Sequence, residues 1–178
     1  KTGDLSVGWA QTDITPDKPV LIAGQFHARV SEGVMDPVTA TVLALESGSG
    51  ESSEKVFLIS CDIVGISDGT RDDAKGSLRN TIREKITAKI PGVSPEKIVL
   101  NATHTHTAPY CHTATSSKEL YGVELDVMSP AECIQFISDK ISVAAEQAWK
   151  SRTPGGISYG LGHAVVGRNR LQASFNGK

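Results

Sequence analysis

Two histidines one residue apart, His104 and His106, stand in residues 101–110 (Asn-Ala-Thr-His-Thr-His-Thr-Ala-Pro-Tyr), directly behind the apolar run Ile98-Val99-Leu100. In a strand, residues i and i+2 point to the same face. Both imidazoles could then reach one point in space, where a divalent metal would lie about 2.0–2.1 Å from each ring nitrogen. The hydroxyls of Thr103, Thr105 and Thr107 would face the other way. Open α/β sheets place their sites just beyond the ends of buried strands, which brings the metal-binding reading level with its competitor. A merely polar strand end is the competing reading of the spacing.

The elements that must position this pair follow from periodicity. A first strand is expected over residues 5–14, stopped by Pro16 and Pro19, with Asp13 at its end for turn chemistry or a metal. Residues 20–37 read as a loop containing Gln25-Phe-His-Ala-Arg29, from which Arg29 could clamp an anionic substrate group or pair structurally. A second strand spans 38–46, a polar hairpin loop 48–54, and a third strand 55–61. That third run is nearly continuous in apolar character, which suits a strand covered on both faces. Ala74, Leu78, Ile82, Ile86 and Ile90 recur every four residues, predicting a helix over 70–90 that ends at Pro91-Gly92. Strand 97–103 then delivers the histidines.

If the strands flanking this helix are parallel neighbours, their C-terminal ends share one edge. Asp62 would meet the His104/His106 pair there and could accept a ligand histidine's second N–H, as carboxylates beside metal sites do; a strand-end cap is its alternative. Residues 108–128 form a loop carrying Tyr110, taken as a second substrate contact, together with His112 and Tyr121. His112 is a candidate third ligand, against an ordinary loop histidine. Ser129-Pro-Ala-Glu132 is a capping box opening a helix to about Lys150, with Ile134, Ile137, Ile141, Ala144 and Ala148 on one side. Residues 157–166, with a structural His163, are expected as a further strand. The fold class is therefore α/β, a mixed β-sheet with helices packed on it.

Length and composition set the outer limits. The 178 residues suit one domain. The net charge of −2 and the lack of any Lys/Arg run give no case for nucleic acid as a partner. No apolar stretch approaches the roughly 20 residues of a transmembrane segment. Three cysteines do not make a disulfide framework, leaving a Cys111–Cys133 bridge or unpaired thiols. The first residue is Lys1, which fits a removed leader or a trimmed chain. Asn101-Ala-Thr103 matches a glycosylation acceptor, an accidental match at the end of a buried strand.

Residues 103–109 resemble the Thr-His-Thr-His-(Ser/Thr)-(Gly/Ala)-Pro signature of the neutral/alkaline ceramidase family. Residues 7–16 (Val-Gly-Trp-Ala-Gln-Thr-Asp-Ile-Thr-Pro), 36–45 (Asp-Pro-Val-Thr-Ala-Thr-Val-Leu-Ala-Leu) and 56–65 (Val-Phe-Leu-Ile-Ser-Cys-Asp-Ile-Val-Gly) resemble further segments of that family, in the same order. Residues 167–170 (Gly-Arg-Asn-Arg) resemble an Asn-Arg segment that follows, so Arg168 or Arg170 could face the site. The resemblance implies that His104 and His106 ligate a catalytic zinc. It implies a secreted or periplasmic amidohydrolase whose metal-activated water splits an N-acyl bond of a small, sphingolipid-like substrate. The family's further ligands (a third histidine, a glutamate and a tyrosine) lie downstream of the matched region and have no match here. The chain is accordingly expected to be a single domain or the N-terminal portion of a ceramidase-like catalytic domain. Two alternatives stand beside this reading: another metal-dependent ester or phosphoester hydrolase, and a noncatalytic lipid- or carbohydrate-binding relative.

Overall fold

The computed structural model describes residues 4–48, 50–67 and 76–167. The strands are β1 (Leu5–Asp13), β2 (Thr39–Ser47), β3 (Glu54–Cys61), β4 (Ile98–Ala102) and the two-residue β5 (Thr153–Pro154). The helices are α1 (Leu78–Lys89), α2 (Ser117–Tyr121) and α3 (Pro130–Lys150). The strands form one sheet in the order β4-β3-β2-β1-β5, antiparallel except for the parallel β3–β4 pair. This is the mixed α/β architecture expected. The register pairs Cys61 with Ala102, so β3 and β4 end side by side.

Each helix begins where its sequence caps it. Ser77 accepts a bond from the Asn80 N–H, and Ser129 and Glu132 complete a reciprocal capping box with Pro130 at the first turn. The ridge Leu78, Ile82, Ile86 and Ile90 is buried, as are Ile134, Ile137, Ile141, Ala144 and Ala148. The two helices pack on each other, and α3 crosses β1 and β2, giving a single core. Described helix begins at Leu78, later than the residue 70 expected; Ala74 lies outside the described residues. The fully buried side chains Phe57 and Ile137 are the sort whose burial is worth about 1.5–3 kcal/mol each.

Three expectations are corrected. The β3 strand is covered on one face, not two: Phe57, Ile59 and Cys61 are buried, while Leu58 is 42% exposed. Leu58 belongs to a row Trp9–Leu43–Leu58–Val99 that runs in register across four strands on the open face. Residues 157–166 form no strand; 155–167 are exposed and irregular, and the edge pairing with β1 is made by Thr153–Pro154 instead. Glycines and exposure leave that segment no face to bury. The long 108–128 loop contains α2, announced by a second capping box, Ser116 with Glu119.

At Gly8 the backbone of α3 comes so close to β1 that an added Cβ would lie 2.1 Å from the Ala148 carbonyl oxygen. Beyond that contact Arg152 stacks over Trp149 and pairs with Glu46 at 2.9 Å, fixing the helix end. Gly8→Ala is expected to destabilise the fold by about 1–3 kcal/mol through overpacking. Leu58→Thr, on the open face, should stay within about 0.5 kcal/mol of the parent. Urea unfolding followed by circular dichroism checks both.

Candidate functional site

Strand β4 stops at Ala102, so the histidines sit in the loop just beyond it rather than in the strand. Backbone pairing continues irregularly: Thr103 N–H donates to the Cys61 carbonyl and His104 N–H to that of Ile63, both at 3.0 Å. This draws His104 into a left-handed conformation, φ 65°, the one positive φ at a non-glycine residue among those described. The two imidazoles nevertheless converge. Their Nε2 atoms are 3.4 Å apart and the rings meet edge to face, 80° between planes.

The ring of His104 is fixed by its other nitrogen, Nδ1, which lies 2.5 Å from the Val64 carbonyl oxygen. A carbonyl only accepts, so Nδ1 carries the proton and the Nε2 lone pair faces His106. Two corners of a tetrahedron with bonds of 2.0–2.1 Å lie about 3.3–3.4 Å apart. The pair thus has the separation of two ligands of one tetrahedral ion. Among the described residues no group of three or more His, Cys, Asp or Glu side chains is placed to hold a metal.

The other expected site residues fall elsewhere. Asp62 was expected to accept the second N–H of a ligand histidine, but Val64 takes that place. Asp62 Oδ2 instead accepts the Thr39 N–H (3.0 Å) and hydroxyl (2.9 Å), capping the start of β2. Arg29 sends Nη2 to the carbonyls of Ala23 (2.8 Å) and His106 (2.5 Å), so that nitrogen is engaged by backbone. Its Nε is buried without a partner among the described residues. Tyr110 packs edge-on against His112, centroids 5.0 Å apart. His112 is drawn to the Gly65 backbone and is not grouped with the other two histidines. Asp13 makes the turn expected of it, accepting the Thr15 N–H at 2.8 Å. His163 is exposed on the irregular segment; Arg168 and Arg170 lie outside the described residues. The three cysteines are buried and free, and burial pushes Cys61 and Cys133 up to about 12, so they are unreactive thiols.

Two features escaped the sequence. Residues 20–31 are a hairpin (Ile22 N–H to Arg29 carbonyl, Ser31 N–H to Val20 carbonyl, both 2.9 Å), and its inner strand bonds Ala108 and Tyr110. Gly24 at its tip, φ 95°, lies under His106: an added Cβ would meet the ring's Cγ at 2.5 Å. Thr105 and Thr107, which alternate with the two histidines, line a cavity of about 480 Å³ together with Asp62, Val20, Ile22 and Val38. Only the glycine itself signalled the first, and nothing local signalled the second.

No protein-family model matches this sequence, and none of the curated proteins is similar to it. Solved structures are. Neutral ceramidase from Pseudomonas aeruginosa aligns over 87% of this chain with a TM-score of 0.66 and 22% identity. A ceramidase complexed with C2 aligns over 85% with a TM-score of 0.64 and 21% identity. The fold is ceramidase-like. At such identities the likeness is one of fold, and this chain spans 23% and 22% of the length of those two structures. Within the ceramidase-like fold, the imidazole pair sits where the parallel strands β3 and β4 end.

His112 offers a pH test. Burial pushes its imidazole below the ordinary 6.5, against the opposing bond to the Gly65 backbone and with a smaller push from His104. The unfolded chain therefore takes up a proton that the folded chain resists. Stability contributed by neutral His112 is full above 6.5 and is lost as pH falls through that value toward the lower folded one. The urea midpoint should fall between about pH 7.5 and 5.5, and His112→Gln should flatten that slope.

Proposed function

We propose that this chain carries part of the active site of a zinc-dependent hydrolase acting on an N-acyl, lipid-like substrate, in the manner the names of its structural neighbours suggest. The observation that carries the reading is the 3.4 Å separation of the two Nε2 atoms, with the His104 tautomer set by Val64. Its support from comparison is the ceramidase-like fold, one neighbour being a neutral ceramidase and the other a ceramidase complexed with C2.

His104 and His106 would hold the ion through their Nε2 atoms. When bound there, zinc would supply Lewis acidity, which lowers the pKa of a coordinated water to about 7 and would polarise an amide carbonyl. The chain's own contribution is orientation: Val64 keeps the His104 Nε2 lone pair facing the His106 Nε2, where an ion would be held, and Gly24 leaves room for the His106 ring. The cavity behind the motif, walled by Val20, Ile22 and Val38, would take apolar parts of such a ligand. Further ligands and a proton donor for the leaving amine would come from outside the described residues.

Zinc titration of the whole chain is expected to saturate at about one equivalent, and the His104→Ala/His106→Ala double variant should bind none. Where the remaining ligands and the proton donor are supplied, hydrolysis of a short-chain N-acyl sphingoid base should exceed that of a matching ester or phosphodiester. The reverse order would favour the ester or phosphoester hydrolase. Binding of the N-acyl lipid with no turnover and no zinc, even with those ligands supplied, would mark a noncatalytic relative; no more than two candidate ligands stand together among the described residues.

A further inference from the structure

The two imidazoles are positioned by different means. His104 has a hydrogen bond on its own ring, to Val64. His106 is placed from outside, by the hairpin of residues 20–31. The inner strand of that hairpin is bonded on one side to its own outer strand and on the other to the segment after His106. Ala23 N–H donates to the Ala108 carbonyl (3.0 Å) and Tyr110 N–H to the Leu21 carbonyl (2.7 Å). The tip then turns so that the Gly24 backbone lies against the His106 ring.

One side chain closes this arrangement. The terminal Nη2 of Arg29 has two hydrogens, and two backbone carbonyls lie within bonding distance of it, Ala23 on the hairpin and His106 itself. The guanidinium thus bridges the residue before Gly24 and the residue whose ring Gly24 supports. A planar, permanently charged fork suits two carbonyls at fixed positions better than a flexible ammonium does.

We infer that Arg29 is a positioning residue: by tying the Ala23 and His106 carbonyls together it holds the hairpin tip under the His106 ring and sets where that ring's Nε2 points. Arg29 acts through His106 and touches neither metal nor substrate in this role. The inference rests on the metal reading for its consequence, though not for its geometry.

The test uses the whole chain with Arg29→Met, which keeps the apolar stem and removes the donors, and Arg29→Lys, which keeps one donor group. Circular dichroism establishes that each variant is folded. Two readouts follow: proton NOEs between Gly24 Hα and the His106 ring, and zinc affinity by titration. Arg29→Met should lose the NOEs and bind zinc about 10–100-fold more weakly, the usual effect of removing a residue that orients a ligand. Arg29→Lys should fall between it and the parent. Unchanged NOEs and affinity in folded Arg29→Met overturn the inference. A parent chain that binds no zinc overturns the metal reading instead, and the NOEs alone then decide whether Arg29 places His106.

Discussion

The site depends on three carbonyls at and just beyond the end of strand β3. Those of Cys61 and Ile63 accept the backbone N–H groups of Thr103 and His104, and that of Val64 accepts from the His104 ring. The parallel β3–β4 pairing makes this capture feasible, because it sets the ends of both strands beside each other. His104 adopts a left-handed backbone conformation that costs roughly 1–2 kcal/mol in a residue with a Cβ. Each hydrogen bond contributes about 0.5–1.5 kcal/mol net. Three of them offset the strain, and the one from the ring to Val64 also decides which imidazole nitrogen keeps its proton.

The second imidazole has no such anchor in the sheet. Its position comes from a segment more than 70 residues earlier in sequence, the hairpin of residues 20–31. That distance matters for how the site is assembled. His104 is aligned by contacts with the end of β3 about 40 residues away, whereas His106 depends on a segment 77 residues away. A glycine at the hairpin tip is required on two counts, a positive φ and the lack of room for a Cβ beside the ring. Either alone would make substitution costly; together they tie hairpin and histidine into one unit.

Much of this frame was legible in the sequence. The four main strands, the two long helices, the Ser129 capping box and the parallel neighbours all follow from period, caps and the strand–helix–strand order. The convergence of His104 and His106 was legible too, though for an incomplete reason: strand alternation ends at Ala102, and loop geometry does the rest. The hairpin was not legible. Its pairing is nonlocal, spread over single bridges rather than a ladder, and its residues show no period. Asp62 illustrates another limit. Its place at the shared strand edge was right, but a nearer donor, the Thr39 backbone with its hydroxyl, competes for the carboxylate, and sequence spacing cannot rank two partners.

The open face of the sheet shows where periodicity misleads. Val56 and Leu58 alternate with Phe57 and Ile59, so β3 is apolar on both sides and reads as a fully covered strand. Hydrophobicity, however, reports what a residue could bury, and only packing reports what it does bury. Among the described residues both long helices join the core formed by Phe57 and Ile59, and none lies over the Trp9–Leu43–Leu58–Val99 row. The stability of the described fold therefore comes from one side of the sheet. Gly8 lets α3 approach that side, whereas the larger Trp9 beside it is 65% exposed. The same helix–sheet contact holds β1 and β2 in place, and β2 in turn pairs along the whole length of β3. The carbonyls that receive His104 are thus positioned by a core built on the face away from that apolar row.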